Sequence, residues 1–106
     1  MAHEPTKFQP LVVGPVIYSI QEVPDLHDTD NDGKKQELFG YINYKDLLLQ
    51  LDEGMTPPQQ LATILHEAVH AILEQGGQDI PENAVVTLGY GLANLLINNP
   101  WLTKIA

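Results

Sequence analysis

The chain has 106 residues, with 14 acidic and 5 basic side chains, a formal net charge of −9 and 43% hydrophobic content. That length suits one small domain with a single core, and so acidic a balance argues against nucleic-acid binding, which needs clustered Lys and Arg to meet phosphates. Cysteine is absent, so neither a disulfide nor a thiolate metal site can form, and any bound metal must be held by His, Asp or Glu.

The acidity itself reads most simply as a source of solubility. Residues 1 to 10 form a loose arm punctuated by Pro5 and Pro10, and the flexible segment is expected to extend to about residue 15. This arm holds no apolar run, so it does not read as a secretory signal. No stretch of the chain approaches the apolar length that a bilayer requires, and a cytoplasmic location fits best.

Val16 to Val23 is rich in β-branched and aromatic residues and predicts a strand, with Pro15 at its start and Pro24 at its end. Asp25 to Gly33 concentrates Asp and Asn and predicts a turn whose tip is Asp32-Gly33. Gln36 to Tyr44 resumes as a second strand, in which Gly40 suggests a bulge or a close backbone approach. Asp46 to Leu51 is a short apolar run of strand length.

Thr56-Pro57-Pro58-Gln59 then signals a helix start. Thr is a preferred N-cap, Pro is tolerated in the first turn, and Gln three residues on completes a capping box. The helix is expected to run to Gln75 and stop at Gly76-Gly77, with Leu61, Leu65, Ala68, Val69 and Ile72 as its core face. A second helix is expected from Pro81-Glu82 to Asn98, before Pro100, with Val85, Leu88, Leu92, Leu95 and Leu96 inward. Gly89 and Gly91 each weaken that helix by roughly 1 kcal/mol relative to Ala, which points to close packing against another element. Trp101 to Ala106 is apolar and is expected to fold back onto the core. The fold class is therefore α+β: a small three-stranded curved sheet, antiparallel or mixed, packed on two helices.

Chemistry enters at His66-Glu67-Ala68-Val69-His70, an H-E-x-x-H pattern inside the first helix. Residues four apart share one helix face, so both imidazoles can reach one ion, and the intervening Glu67 can reach a water at that ion. Zinc in hydrolases takes three protein ligands and leaves one position for water, whose pKa falls to about 7. His66 and His70 supply two ligands, and Glu67 is the candidate general base.

The third ligand is not fixed by the motif. His3 and His27 lie far upstream with no supporting spacing. Glu82 opens the second helix just after the Gly-rich connection and is the best placed. Asp79 and Glu74 are alternatives. A competing role for Glu82 exists, because Asp79-x-x-Glu82 also matches a capping box. Separately, Asp28 to Gly33 matches the first half of an EF-hand calcium loop, but Phe39 stands where the bidentate Glu is needed, so a polar hairpin turn is the better reading.

Beyond single motifs, the chain resembles the small ImmA/IrrE-like zinc metallopeptidases of the gluzincin type, often found in bacteriophages and mobile elements. The residues that carry the likeness are Gly40 to Tyr44, Leu65 to Ile72 around the H-E-x-x-H element, Glu82-x-x-Val85, Gly91-Leu92 and Asn99-Pro100. The resemblance spans roughly Val16 to Leu102. It implies Zn2+ as cofactor, Glu82 as third metal ligand beside His66 and His70, and Glu67 as catalytic base. Relatives often carry a Tyr or His that polarises the substrate carbonyl; Tyr90, two turns beyond Glu82 on the second helix, is a candidate for it, but a core or surface tyrosine is the better reading of that residue.

These readings lead to a zinc endopeptidase, acting as a monomer on a peptide or protein in the cytoplasm, with no nucleic acid or membrane involved. An extended substrate would add to a sheet edge. The alternatives are a zinc-containing but catalytically inert binding or regulatory protein of the same fold, and a structural α+β domain without metal.

Overall fold

The computed structural model describes residues 8–29, 35–37 and 39–105. The expected hairpin tip at Asp32-Gly33 and the first seven residues of the N-terminal arm lie outside the described residues. The chain divides into two compact units, Met1–Gly54 and Met55–Ala106.

The first unit is a sheet. Strand β1 (Leu11–Val13) pairs antiparallel with β2 (Val16–Val23) through the two-residue turn Gly14-Pro15. Gly14 supplies φ +56°, which such a tight turn needs and a side-chain-bearing residue resists. β2 then pairs in parallel with β6 (Leu48–Asp52), and β6 pairs antiparallel with β5 (Gly40–Asn43), giving the order β1-β2-β6-β5. The expectation of three strands is corrected to a four-stranded mixed sheet. The extra strand is β1, which occupies part of the expected arm; three residues between Pro10 and Pro15 are too few for a periodic signal.

The segment predicted as one strand over Gln36 to Tyr44 is two strands in two sheets. β4 (Lys35–Glu37) pairs with β3 (His27–Thr29) in a separate antiparallel pair, as a hairpin around the Asp-rich segment requires, and Gly40 opens β5. β6 starts later than expected because Leu47 takes φ +53°, a conformation outside the strand region. The turn before it is held by Asn43 and Asp46. The Asp46 backbone N–H donates to Asn43 Oδ1 at 2.9 Å, and Asn43 Nδ2 donates to Asp46 Oδ2 at 3.1 Å.

Alternation then decides the sheet's two faces. Val13, Tyr18, Ile20, Ile42, Leu49 and Leu51 are buried on one side. On the other side, Gln50 Nε2 donates to Gln21 Oε1 at 3.2 Å between paired strands.

The second unit is a pair of helices. α1 (Pro57–Gln75) starts with the expected capping box: the Gln59 N–H donates to Thr56 Oγ1 at 3.4 Å, and the Thr56 N–H donates to Gln59 Oε1 at 2.9 Å. Thr56→Ala removes one of these bonds and is expected to cost about 1 kcal/mol, read as a lower urea midpoint with metal affinity unchanged. The other end closes in a Schellman motif: the Gly77 N–H donates to Glu74 O and the Gln78 N–H to Leu73 O, with Gly77 at φ +66°. That left-handed residue satisfies the last carbonyls and turns the chain back. After Pro81, α2 (Glu82–Asn98) packs against α1.

The inward faces of the helices differ from those expected. On α2, Val85, Gly89 and Ala93 are buried at a spacing of four, whereas Leu88, Leu92 and Leu95 are exposed. On α1, Gln60, Ala62, Glu67, Val69 and Ala71 are buried, Leu61, Leu65 and Ala68 are half-buried, and Ile72 is exposed. Hydrophobic periodicity selects the large residues, but helices in close backbone contact meet through small ones. The C-terminal segment forms a 3₁₀ turn (Pro100–Lys104) against α2, with Leu102 half-buried but Trp101 and Ile105 exposed, contrary to the expectation that these apolar side chains cover the core. Among the described residues, no helix is long and apolar enough to cross a membrane.

Candidate metal centre

The capped frame of α1 presents His66 and His70 one turn apart on the same side. Their rings lie edge to face, 4.9 Å between centroids with the planes at 71°. The Schellman turn returns the chain so that Glu82, the first residue of α2, meets both rings. Glu82 Oε1 lies 3.0 Å from His66 Nε2, and Glu82 Oε2 lies 3.0 Å from His70 Nε2.

This contact bears on the rival role for Glu82. The N-cap of α2 is Pro81, with no side-chain hydrogen bond to the helix N-terminus. The carboxylate is turned to the imidazoles instead of to the backbone. Asp79 and Glu74, the alternative ligands, are outside the group. His3 lies outside the described residues, and His27 opens β3 in the other compact unit.

His66, His70 and Glu82 therefore form a group whose ligand atoms all lie within 4.8 Å of one another. A tetrahedral ion with bonds of about 2.0–2.2 Å spaces its ligand atoms at roughly 3.4 Å. The donor set, two imidazole nitrogens and one carboxylate oxygen, fits a divalent cation, and a separation of 3.0 Å between N and O needs only a slight spreading to admit one. The group can hold a metal ion.

Glu67 stands beside this cluster, with Oε1 3.9 Å from His66 Nε2. It is 7% exposed. Burial first, and then the charge of Glu82, push its carboxyl pKa up to about 7, because removal from water and a nearby anion both disfavour the ionised form. His66 is pulled below its usual value, chiefly by burial, with the charge of His70 acting in the same direction and Glu82 opposing both. A neutral imidazole is the form that ligates a metal.

One residue at the site has a role that its sequence context shows only in part. Gly89 on α2 sits against the backbone of His66: a Cβ built on it would stand 2.9 Å from His66 Cα, 3.0 Å from its Cβ and 3.0 Å from its N. Gly91 would meet nothing within 4 Å. Both glycines cost helix propensity equally, so sequence alone gives them the same weight; the register of the helix pair separates them. Tyr90, offered as a carbonyl-polarising residue, is half exposed and lies about 12 Å along the helix axis from Glu82.

No protein-family model matches the chain, and no curated protein or solved structure matches it either.

Proposed function

We propose that the chain is a zinc-dependent metallopeptidase of the small ImmA/IrrE-like, gluzincin type, with His66, His70 and Glu82 as metal ligands and Glu67 as general base. The observation that carries this reading is the carboxylate of Glu82 bridging the two Nε2 atoms of the H-E-x-x-H pair at 3.0 Å each. A motif that arose by chance on an amphipathic helix has no reason to meet a carboxylate from the following helix.

A zinc ion held there supplies Lewis acidity toward a peptide carbonyl and water that ionises near neutral pH. The remaining work falls to this chain's own groups. Glu67, buried and with its proton poised near neutrality, takes a proton from the attacking water and hands it to the leaving amine. An intracellular protein substrate and a cytoplasmic location belong to the same proposal.

The test is metal content. Protein purified without added metal is expected to carry one zinc per chain by elemental mass spectrometry. His66→Ala, His70→Ala and Glu82→Ala are each expected to lower zinc affinity by more than about 100-fold, since even outer partners of ligands are worth 10- to 100-fold. Asp79→Ala should keep it. A wild-type chain that binds no zinc, or a Glu82→Ala variant that binds as well as wild type, overturns the assignment.

A further inference from the structure

We infer that Gly89 is a positioning residue that gauges the metal site: direct backbone contact at this glycine sets how closely the helix carrying Glu82 approaches the helix carrying His66 and His70. The inference rests on the metal-centre reading given above.

The geometry is specific. The three atoms nearest a Cβ at position 89 are the N, Cα and Cβ of His66, all at 3.0 Å or less. Carbon atoms in ordinary contact stand at about 3.5–4.0 Å. None of the three is the end of a mobile side chain, so a methyl group cannot be accommodated by a rotamer change. The helices themselves must separate by several tenths of an ångström. Moreover, the residue pressed upon is a metal ligand, and Glu82 lies two turns back along the same helix as Gly89.

The neighbouring buried positions extend this close seam. Val85 precedes Gly89 by one turn and Ala93 follows it by one turn, and both are buried. The seam therefore places its smallest residue where a ligand's backbone is closest. Displacing α2 there moves Glu82 away from the imidazoles, and the ligand triangle opens. A wider triangle weakens a small ion more than a large one.

Gly91 is the internal control. It lies on the same helix, carries the same propensity penalty and has open space where an added Cβ would stand. Gly91→Ala is expected to raise the thermal midpoint of the metal-free chain and leave zinc affinity as it is. The measurement uses the full-length chain, with Zn2+ and the larger Cd2+ titrated separately into wild type, Gly91→Ala, Gly89→Ala and the double variant Gly89→Ala/Gly91→Ala. The double variant is included because the helix-favouring alanine at 91 offsets a loss of stability caused at 89.

Gly89→Ala, read in the single variant or against Gly91→Ala in the double, is expected to lower zinc affinity by about 10- to 100-fold and cadmium affinity by less. The shift in the zinc-to-cadmium ratio is the readout that a general loss of stability would not move. Equal loss of both ions, unchanged binding of both, or a double variant that loses its helical circular dichroism overturns the inference; the last outcome makes the glycine a requirement for helix pairing alone. If the wild-type chain binds neither ion, the metal-centre reading fails with it. If wild type binds zinc and the double variant binds it like Gly91→Ala, only the gauge fails.

Discussion

Glu67→Gln is expected to abolish peptide cleavage while leaving zinc in place. Glutamine keeps the size and one hydrogen-bonding oxygen of the acid but cannot take a proton. His66, His70 and Glu82, the group that could hold a metal ion, are untouched. Loss of a general base lowers rates by about 100- to 10,000-fold. The measurement pairs zinc stoichiometry with cleavage of a fluorogenic peptide library by wild type and variant. Equal activity in the two proteins removes Glu67 from the chemistry. Wild-type protein that holds zinc yet cleaves nothing across the library, with partner capture the same in both forms, overturns the peptidase in favour of a zinc-containing binding protein.

The same substitution has a second expected effect, in the metal-free chain, on stability. Glu67 holds its proton up to about pH 7 in the fold, against an ordinary value of 4.5. Below about pH 4.5 the carboxyl is protonated in both folded and unfolded chains and contributes no difference between them. As pH rises toward 7, the unfolded chain releases this proton while the folded chain retains it, and stability falls by about 1.4 kcal/mol per unit. Above pH 7 the loss levels off at about 3 kcal/mol. Glutamine does not titrate, so metal-free Glu67→Gln is expected to match wild type near pH 4 and to exceed it at pH 8 by an amount of that order. Urea midpoints of the two metal-free proteins at both pH values check the sign. A gap that is constant with pH shows that the carboxyl is not held protonated.

Much of the second unit is legible in the amino-acid sequence. Thr56, Pro57 and Gln59 mark the start of α1, and Gly76-Gly77 mark its end, because caps are local chemistry that sequence displays directly. Glu82 is legible for a similar reason: a glycine-terminated helix followed by a short connection must fold back, which brings the next helix's first residue to the preceding one. The inward face of α2 is not legible. Leu88, Leu92 and Leu95 match the helical period as well as Val85, Gly89 and Ala93 do. Only the distance between helix axes, which no single element encodes, makes the small residues the contact. In the first unit, β1 escapes a sequence reading because Leu11–Val13 is too short to show alternation. The break between β4 and β5 escapes it because a strand that changes partners looks, in sequence, like one that continues.

The parallel pairing of β2 with β6 joins Ser19 to Leu48 and Val23 to Asp52, across a span that includes β3, β4 and β5. The helix pair, by contrast, meets through the few residues from Gly76 to Pro81. Separation along the chain governs how fast contacts form. Helical hairpin formation is therefore expected to precede the parallel β2–β6 pairing, whereas the β1–β2 and β5–β6 pairs are as local as the helix connection. The three residues that could hold an ion fall between positions 66 and 82, all within the helical hairpin, so an ion bound there would stabilise that hairpin by mass action whether or not the strands have found their register.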